Sequence, residues 1–426
     1  MKNDIQSRSE KFEYFLIMSI FVIGTIILLF YKIPTKNIVR DYQYNVLIIL
    51  IAMELFTNLI SSTGIIEIIS LKIAVLSKGN KSSVLILFGF LMFIISAFLN
   101  NITAVLVILP IVFVLLKIIG INQRYVNIFF ATILALSNTG GASSPIGDFP
   151  AIVIMNSGIT TFLDYLSKGF PFFLINSVAI ILWWKFHIKN DKQINNKSRF
   201  TISLLQSRYK NIKIKKNVLV GLGIILFLMF VCWSFIDQNV ISPEIIAILG
   251  CALAMFYCIV NKVQVKTDID LKPVLTIASF LYLSCVVSQT GILSAFAILL
   301  QENIKEPKLL LISIMIFTSL ISGLFGAGPA ASAMMPVIIF LCNSVFINQT
   351  SWVAIAYAAS ICAGSSLFMW SATAGFILSK KIDEAHLTDI NNTRLIWNIK
   401  NYLFYGIQNY TIQMLVSVIL IWVVIP

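Results

Sequence analysis

Charge is scarce in this chain. Asp, Glu, Lys and Arg make up 12% of its 426 residues, about half the share of a soluble domain. Hydrophobic residues reach 58%, and the mean hydropathy is +0.92. That balance excludes a soluble globular fold. Several runs of at least about 18 residues carry no charge, which defines an all-α polytopic membrane protein. Histidine is nearly missing. Only His187 and His386 occur, both in basic segments at membrane edges, so a His-based metal site is not expected. The six cysteines form no Cys-x-x-Cys pair, lie in apolar segments and read as small core residues. No Ser/His/Asp grouping appears either, so neither an enzyme nor a resident cofactor is expected. The net charge of +13 would point to nucleic acid in a soluble protein. Here the positive-inside rule accounts for it, and no nucleic-acid partner is expected.

What is present gathers around one stretch, Ser137-Asn138-Thr139-Gly140-Gly141-Ala142-Ser143-Ser144-Pro145-Ile146-Gly147-Asp148-Phe149-Pro150. It holds three glycines, two prolines, six residues of the Ser/Thr/Asn/Asp type and one carboxylate, with apolar runs on both sides. Such a composition predicts a break over 137–148 in a span running from 125 to 158. A break at mid-depth is tolerated only where the freed backbone groups are buried in protein or line a wet cavity. Its oxygens suit small cations, and the half-helix beginning near Phe149 turns a positive end toward an anion. The alternative is a surface loop between two shorter helices.

Other spans are expected at about 12–31, 44–62, 169–187, 217–236, 242–260, 271–289 and 406–425. The first is too long for the apolar core of a signal peptide and lacks a small-residue cleavage site, so it is expected to stay as a span. Segment 82–118 has Asn100-Asn101 at its middle and, at 37 residues, reads as a re-entrant hairpin rather than two crossings. A second hairpin is expected over 308–345, with Gly326-Ala327-Gly328-Pro329 at its tip, and a second broken span over 351–379. Short pieces at 64–78 and 291–301 precede the hairpins, a basic loop fills 188–216, and 382–403 reads as interfacial.

The order of elements repeats. Thr63-Gly64-Ile65 matches Thr290-Gly291-Ile292 at an offset of 227, Ala104 to Pro110 matches Ala330 to Pro336 at 226, and Gly141-Ala142-Ser143-Ser144 falls against Gly364-Ser365-Ser366 near 223. Five expected crossings separate matching elements, an odd number, so the second half (217–426) is read as inverted relative to the first (1–187). With the N-terminus in the cytoplasm and the C-terminus outside, 25 of the 31 Lys and Arg residues fall on the cytoplasmic side of an inner or plasma membrane.

Candidate site residues follow from this layout. Asn100, Asn101 and Thr103 at the first hairpin tip offer oxygens to Na⁺ or amide hydrogens to an oxyanion; alternatively they join helices by hydrogen bonds. In the break, Ser137, Asn138, Thr139, Gly141, Ser143, Ser144 and Asp148 are candidate contacts. Asp148 reads as a cation ligand or proton carrier, as a helix cap, or as both. Glu54, inside span 44–62, is a proton-relay candidate or a structural partner of Asn58. In the second half, Gly364, Ser365 and Ser366 are weaker candidates, since that break has no acid and close packing explains its small residues equally well.

Phe98-Leu99-Asn100-Asn101-Ile102-Thr103-Ala104-Val105 with Pro110 resembles the hairpin of the ion transporter superfamily. The break, with its Gly140-Gly141 and Pro145-Ile146-Gly147-Asp148, is similar to that of the superfamily's bacterial sodium/proton antiporter branch, which includes arsenite permeases and is related to citrate and dicarboxylate sodium symporters. The resemblance implies a scaffold part and a transport part, pairing as a homodimer, and elevator-like transport driven by a cation gradient. It also implies cation and substrate contacts at Asn101, Thr103, Ser137, Asn138, Thr139 and Asp148, with Na⁺ at Asn101, Ser137 and Asp148. Sodium/proton antiport is the first expectation, and cation-coupled transport of arsenite or an organic acid such as citrate the alternative. Asn100 stands where many antiporter and arsenite relatives carry an acid. The second tip lacks the Ser-Asn-Thr that dicarboxylate carriers use.

Overall fold

A computed structural model describes residues 17–188, 216–237, 240–263, 271–372, 374–389 and 392–425. Most of the expected basic loop lies outside them. Helices dominate the described residues, whose one β-type pairing is an antiparallel bridge between Thr388 and Arg394. In chain order the helices are α1 (Ile17–Phe30), α2 (Thr35–Asp41), α3 (Tyr44–Ser61), α4 (Ile65–Leu76), α5 (Lys81–Phe98), α6 (Asn101–Ile119), α7 (Gln123–Ala142), α8 (Phe149–Asn156) and α9 (Phe162–His187). They continue as α10 (Lys216–Phe235), α11 (Pro243–Val260), α12 (Leu271–Gln289), α13 (Ile292–Asn303), α14 (Pro307–Phe325), α15 (Ala327–Ser344), α16 (Thr350–Ser365), α17 (Gly375–Glu384) and α18 (Ile399–Val424). Among the described residues nine helices are long and apolar enough to cross a membrane, counting α2 and α3 together as Thr35–Ser61. A tenth candidate, α12 with α13, bends by 67°.

Local chemistry sets the helix ends. Asn80, Asn100, Asn122, Thr161 and Asn398 each precede a helix and accept a hydrogen bond from a backbone N–H of its first turn. α4 and α13 start from the same turn. Thr63 and Thr290 each donate to the carbonyl three residues back at 2.7 Å, and the following Gly64 and Gly291 take left-handed φ values of 76° and 75°.

The first break is shorter than its composition predicts. α7 runs through Ser137, Asn138, Thr139, Gly140, Gly141 and Ala142, leaving 143–148 outside any helix. At 20 residues, α7 is no half-span, since about 30 Å of helix crosses a bilayer core. Gly140 does not unwind the helix; it lets α7 lie on α5, where a Cβ would collide with the carbonyl of Phe93 and sit 2.9 Å from the Cβ of Ser96. The effective breaker is Pro145, which has no N–H for the carbonyl of Gly141. The second break shortens in the same way. Gly364 and Ser365 are helical in α16, and a Cβ on Gly364 would collide with the carbonyl of Ser319 on α14 and sit 2.7 Å from the Cβ of Ser322. Length does not decide the hairpins, because α5 and α6 have 18 and 19 residues and each qualifies alone as a span. The last helix begins at Ile399, earlier than expected, because Asn398 caps it.

α7 and α16 form the buried axis. Every residue of α7 from Tyr125 to Ala142 is buried, as is nearly all of α16, and the two helices pack on each other. A helix apolar all round belongs inside a bundle. α5 and α9 flank α7, while α14 and α15 flank α16, with α18 against both axis helices. Lipid supplies no hydrophobic drive between helices, so packing and buried hydrogen bonds carry the assembly. Asn409 on α18 is one such tie. Its oxygen accepts from Trp184 Nε1 at 2.7 Å, and its amide donates to the carbonyl of Ala131 at 3.0 Å.

Candidate ion and substrate site

The tip between α5 and α6 meets the break between α7 and α8. Asp148 closes the break by capping α8, where its Oδ1 accepts from Phe149 N at 2.9 Å, and Pro150 fits the first turn because no donor is needed there. Its other oxygen accepts from Asn101 Nδ2 at 2.9 Å. A carboxylate only accepts, so it fixes the orientation of that amide. Asn101 Oδ1 therefore faces the other way, toward Gly141, where it has no hydrogen-bond partner although the residue is 1% exposed. Asp148 is thus a cap and a partner of the hairpin tip at once.

Ser137 lies one turn before Gly141 on the same face of α7, fully buried, with its hydroxyl also unpartnered. The hydroxyl of Ser96 on α5, beneath Gly140, is in the same condition. Buried polar groups are nearly always paired, so these unpartnered oxygens beside α7 make it a candidate place for an ion.

The other expected contacts hold the structure together. Asn138 Nδ2 donates to Ser365 Oγ at 3.0 Å and reaches Ser366 Oγ at 3.4 Å, tying α7 to the end of α16. Its Oδ1 is unpartnered. Thr139 Oγ1 pairs with Ser177 Oγ at 2.8 Å, and Ser143 Oγ donates to the carbonyl of Gly140 at 2.6 Å. Ser144 Oγ donates to the carbonyl of Ala97, the last turn of α5. Gly364 is a packing residue on α14.

A cavity of about 70 Å³, room for a few waters, lies beside this junction. Glu54, Asn100, Thr103, Gly147 and Asp148 line it, together with apolar residues that include Phe149 and Ile277. The structure therefore brings Glu54 and Asp148 to one cavity. Asn100 caps α6, its Oδ1 accepting from Ile102 N at 2.9 Å. The N-termini of α6 and α8 open onto the cavity, and that of α15 is close by, since Gly328 packs against the Phe149 ring. Helix N-termini favour negative charge.

Sequence reasoning missed Thr57, Ser96, Tyr165 and Ser177. Asn100 N donates to Thr57 Oγ1 at 3.5 Å. Tyr165 donates its hydroxyl to the carbonyl of Ala142 at 2.8 Å, and Gly169, one turn on, lies near the carbonyl of Ser143. The second half repeats this contact: Tyr402 donates to the carbonyl of Ser366 at 2.7 Å, and Gly406 packs on the carbonyl of Leu367. The Tyr-x-x-x-Gly spacing was the available signal.

Membrane-length helices around a buried polar centre, in a chain with so little charge, define a multi-pass membrane transporter. The family model described as citrate transporter, CitMHS, matches residues 14–237, and the chain belongs to that family. It is 23% identical over 342 residues to the uncharacterized transporter Rv2685 of Mycobacterium tuberculosis (strain ATCC 25618 / H37Rv), a match covering 79% of this chain and 78% of that one. A shorter match, 25% identical over 146 residues, joins 34% of this chain to 17% of the P protein of Homo sapiens. The crystal structure of the YdaH transporter of Alcanivorax borkumensis, described as having an unusual topology, aligns over 97% of both chains with a TM-score of 0.55. At 13% identity that likeness is one of fold.

Proposed function

We propose that this protein carries a small organic anion of the carboxylate class across the inner or plasma membrane, coupled to a cation. One observation carries the reading: Asp148 holds the Asn101 amide so that a buried, unpartnered oxygen faces the end of α7, beside a cavity with helix N-termini at its wall. The oxygens of Asn101 and Ser137 take the cation, Na⁺ first among candidates, with Asp148 as orienter and negative neighbour. Asn100, Thr103 and the N-termini of α6 and α8 receive the anion. Membership of a citrate transporter family favours this over the antiporter and arsenite reading. Sodium/proton exchange is the second reading, supported by two carboxylates, Glu54 and Asp148, on one cavity.

The matched turns at Gly64 and Gly291, the matched glycines at 140 and 364 and the matched tyrosines support an internal repeat, read as inverted from the count of crossings; the Lys and Arg asymmetry favours a cytoplasmic N-terminus, and the superfamily resemblance a homodimer. Uptake of labelled citrate and a dicarboxylate into proteoliposomes, under inward Na⁺ or proton gradients, tests the proposal. Accumulation that needs both anion and cation gradient supports it. Sodium-induced proton release in everted vesicles without any organic anion supports exchange instead.

A further inference from the structure

The polar side chains in the cavity wall come from α3, the first hairpin tip and the break: Glu54, Asn100, Thr103 and Asp148. Toward the second hairpin the wall is apolar. Phe149 and Ile277 both line the cavity, and both touch Gly328 at the start of α15. A Cβ on Gly328 would lie 3.3 and 3.4 Å from two ring carbons of Phe149 and 3.7 Å from Ile277 Cγ1. No α15 residue lines the cavity among the described residues, so Phe149 and Ile277 stand between it and the second tip. At the hairpin offset of 226, Gly328 falls against Ile102 of the first tip. The side chain missing at Gly328 leaves the seat that the Phe149 ring fills, and Phe149 is 5% exposed.

This wall limits what the cavity can hold. Its volume of about 70 Å³ is room for a few waters. Succinate at least fills that space, and citrate overfills it. The N-termini of α6 and α8 open on the cavity, and each suits one carboxylate. A third carboxylate meets the Phe149 ring and Ile277, which offer it no hydrogen bond, and an unpaired buried charge is costly. Glu54 and Asp148 in the same wall repel the anion more strongly as its charge rises.

We infer that Phe149, seated on Gly328, sets the size limit of the anion, so that the protein takes a dicarboxylate in preference to a tricarboxylate. The inference rests on the anion-transport reading above. Phe149 selects by filling space and by withholding a partner from a third carboxylate. A smaller side chain there opens the wall toward the first turn of α15, where water enters and solvates that group.

The test compares kcat/KM for labelled succinate and labelled citrate in proteoliposomes holding the full-length protein, under inward Na⁺ or proton gradients. Wild type is expected to favour succinate about tenfold or more. Phe149→Leu keeps an apolar side chain on the turn and is expected to narrow that ratio about threefold, and Phe149→Ala about tenfold or more. Gly328→Ala crowds the ring from behind and is expected to widen it. Loss of folded protein lowers both rates together and leaves the ratio unmoved, which separates selection from packing. A wild type that prefers citrate, or a ratio within about twofold of wild type in both Phe149 variants, overturns the role of Phe149 and leaves anion transport in place. A wild type that carries neither anion under either gradient overturns the anion reading itself.

Discussion

Replacing Asp148 by Asn separates the two bonds its carboxylate makes. Position 148 accepts from Phe149 N and from Asn101 Nδ2, both at 2.9 Å. An asparagine there keeps one acceptor and gains an NH₂ donor. If its oxygen stays on Phe149 N, the cap survives, and so does the roughly 1 kcal/mol such a cap contributes. Its NH₂ then faces the Asn101 amide, which relieves the donor–donor contact by turning over. Asn101 thereby presents NH₂ where its unpartnered oxygen had been, replacing a cation ligand with a donor. The exchange loses one charge-assisted bond of about 1.5–3 kcal/mol and regains a neutral one of about 1 kcal/mol, so stability falls by only about 0.5–2 kcal/mol. Cation affinity falls about 10- to 100-fold, as for loss of an orienting partner. Asp148→Ala instead loses the cap and strands the Asn101 donor, for about 2–4 kcal/mol in all. Melting curves with and without Na⁺, run beside proteoliposome uptake, read these quantities separately. An Asp148→Asn protein that transports normally, with half-saturating Na⁺ within about twofold of wild type, would refute the reasoning and leave Asp148 as a helix cap.

Three further outcomes are expected. Gly141→Ala places a Cβ 2.7 Å from that of Asp148 and 2.8 Å from Asn101 Oδ1, so the protein inserts in the membrane but loses its Na⁺-dependent melting shift. Tyr165→Phe keeps the buried ring but leaves the carbonyl of Ala142 without its 2.8 Å partner; a destabilisation of about 1–3 kcal/mol is expected, visible as a lower melting temperature in choline. Asn409→Ala strands Trp184 Nε1 and removes the second bond on the carbonyl of Ala131, and is expected to lower stability by about 1–3 kcal/mol, measured by thermal aggregation in detergent.

The candidate site's local geometry was readable in sequence where a residue's local chemistry and its location agree. Asp148 beside Phe149-Pro150 reads as a helix start, and Asn100-Asn101 between two apolar runs reads as a turn, because both signals are local. Gly140 and Gly141 misled for a physical reason. In water a glycine pair weakens a helix, but here the missing side chains are what allow α7 to touch α5 and the Asn101–Asp148 pair. Tertiary contact overrides propensity, and only the structure shows the contact. Ser96 stayed hidden because one serine in an apolar run carries no periodic signal. The offset of 226 that relates the hairpins would have paired it with Ser322. The bend at Thr290-Gly291 was legible because a threonine followed by a left-handed glycine recurs at Thr63-Gly64.

The amide of Asn138 reaches across from the first interrupted helix to the hydroxyls of Ser365 and Ser366 in the second, in a place closed to water. A stroke that lifted one turn without the other would leave that donor with no substitute to bond. On the proposed transport reading, the two helix ends are therefore expected to travel as one piece, with any sliding at its outer faces rather than along its middle.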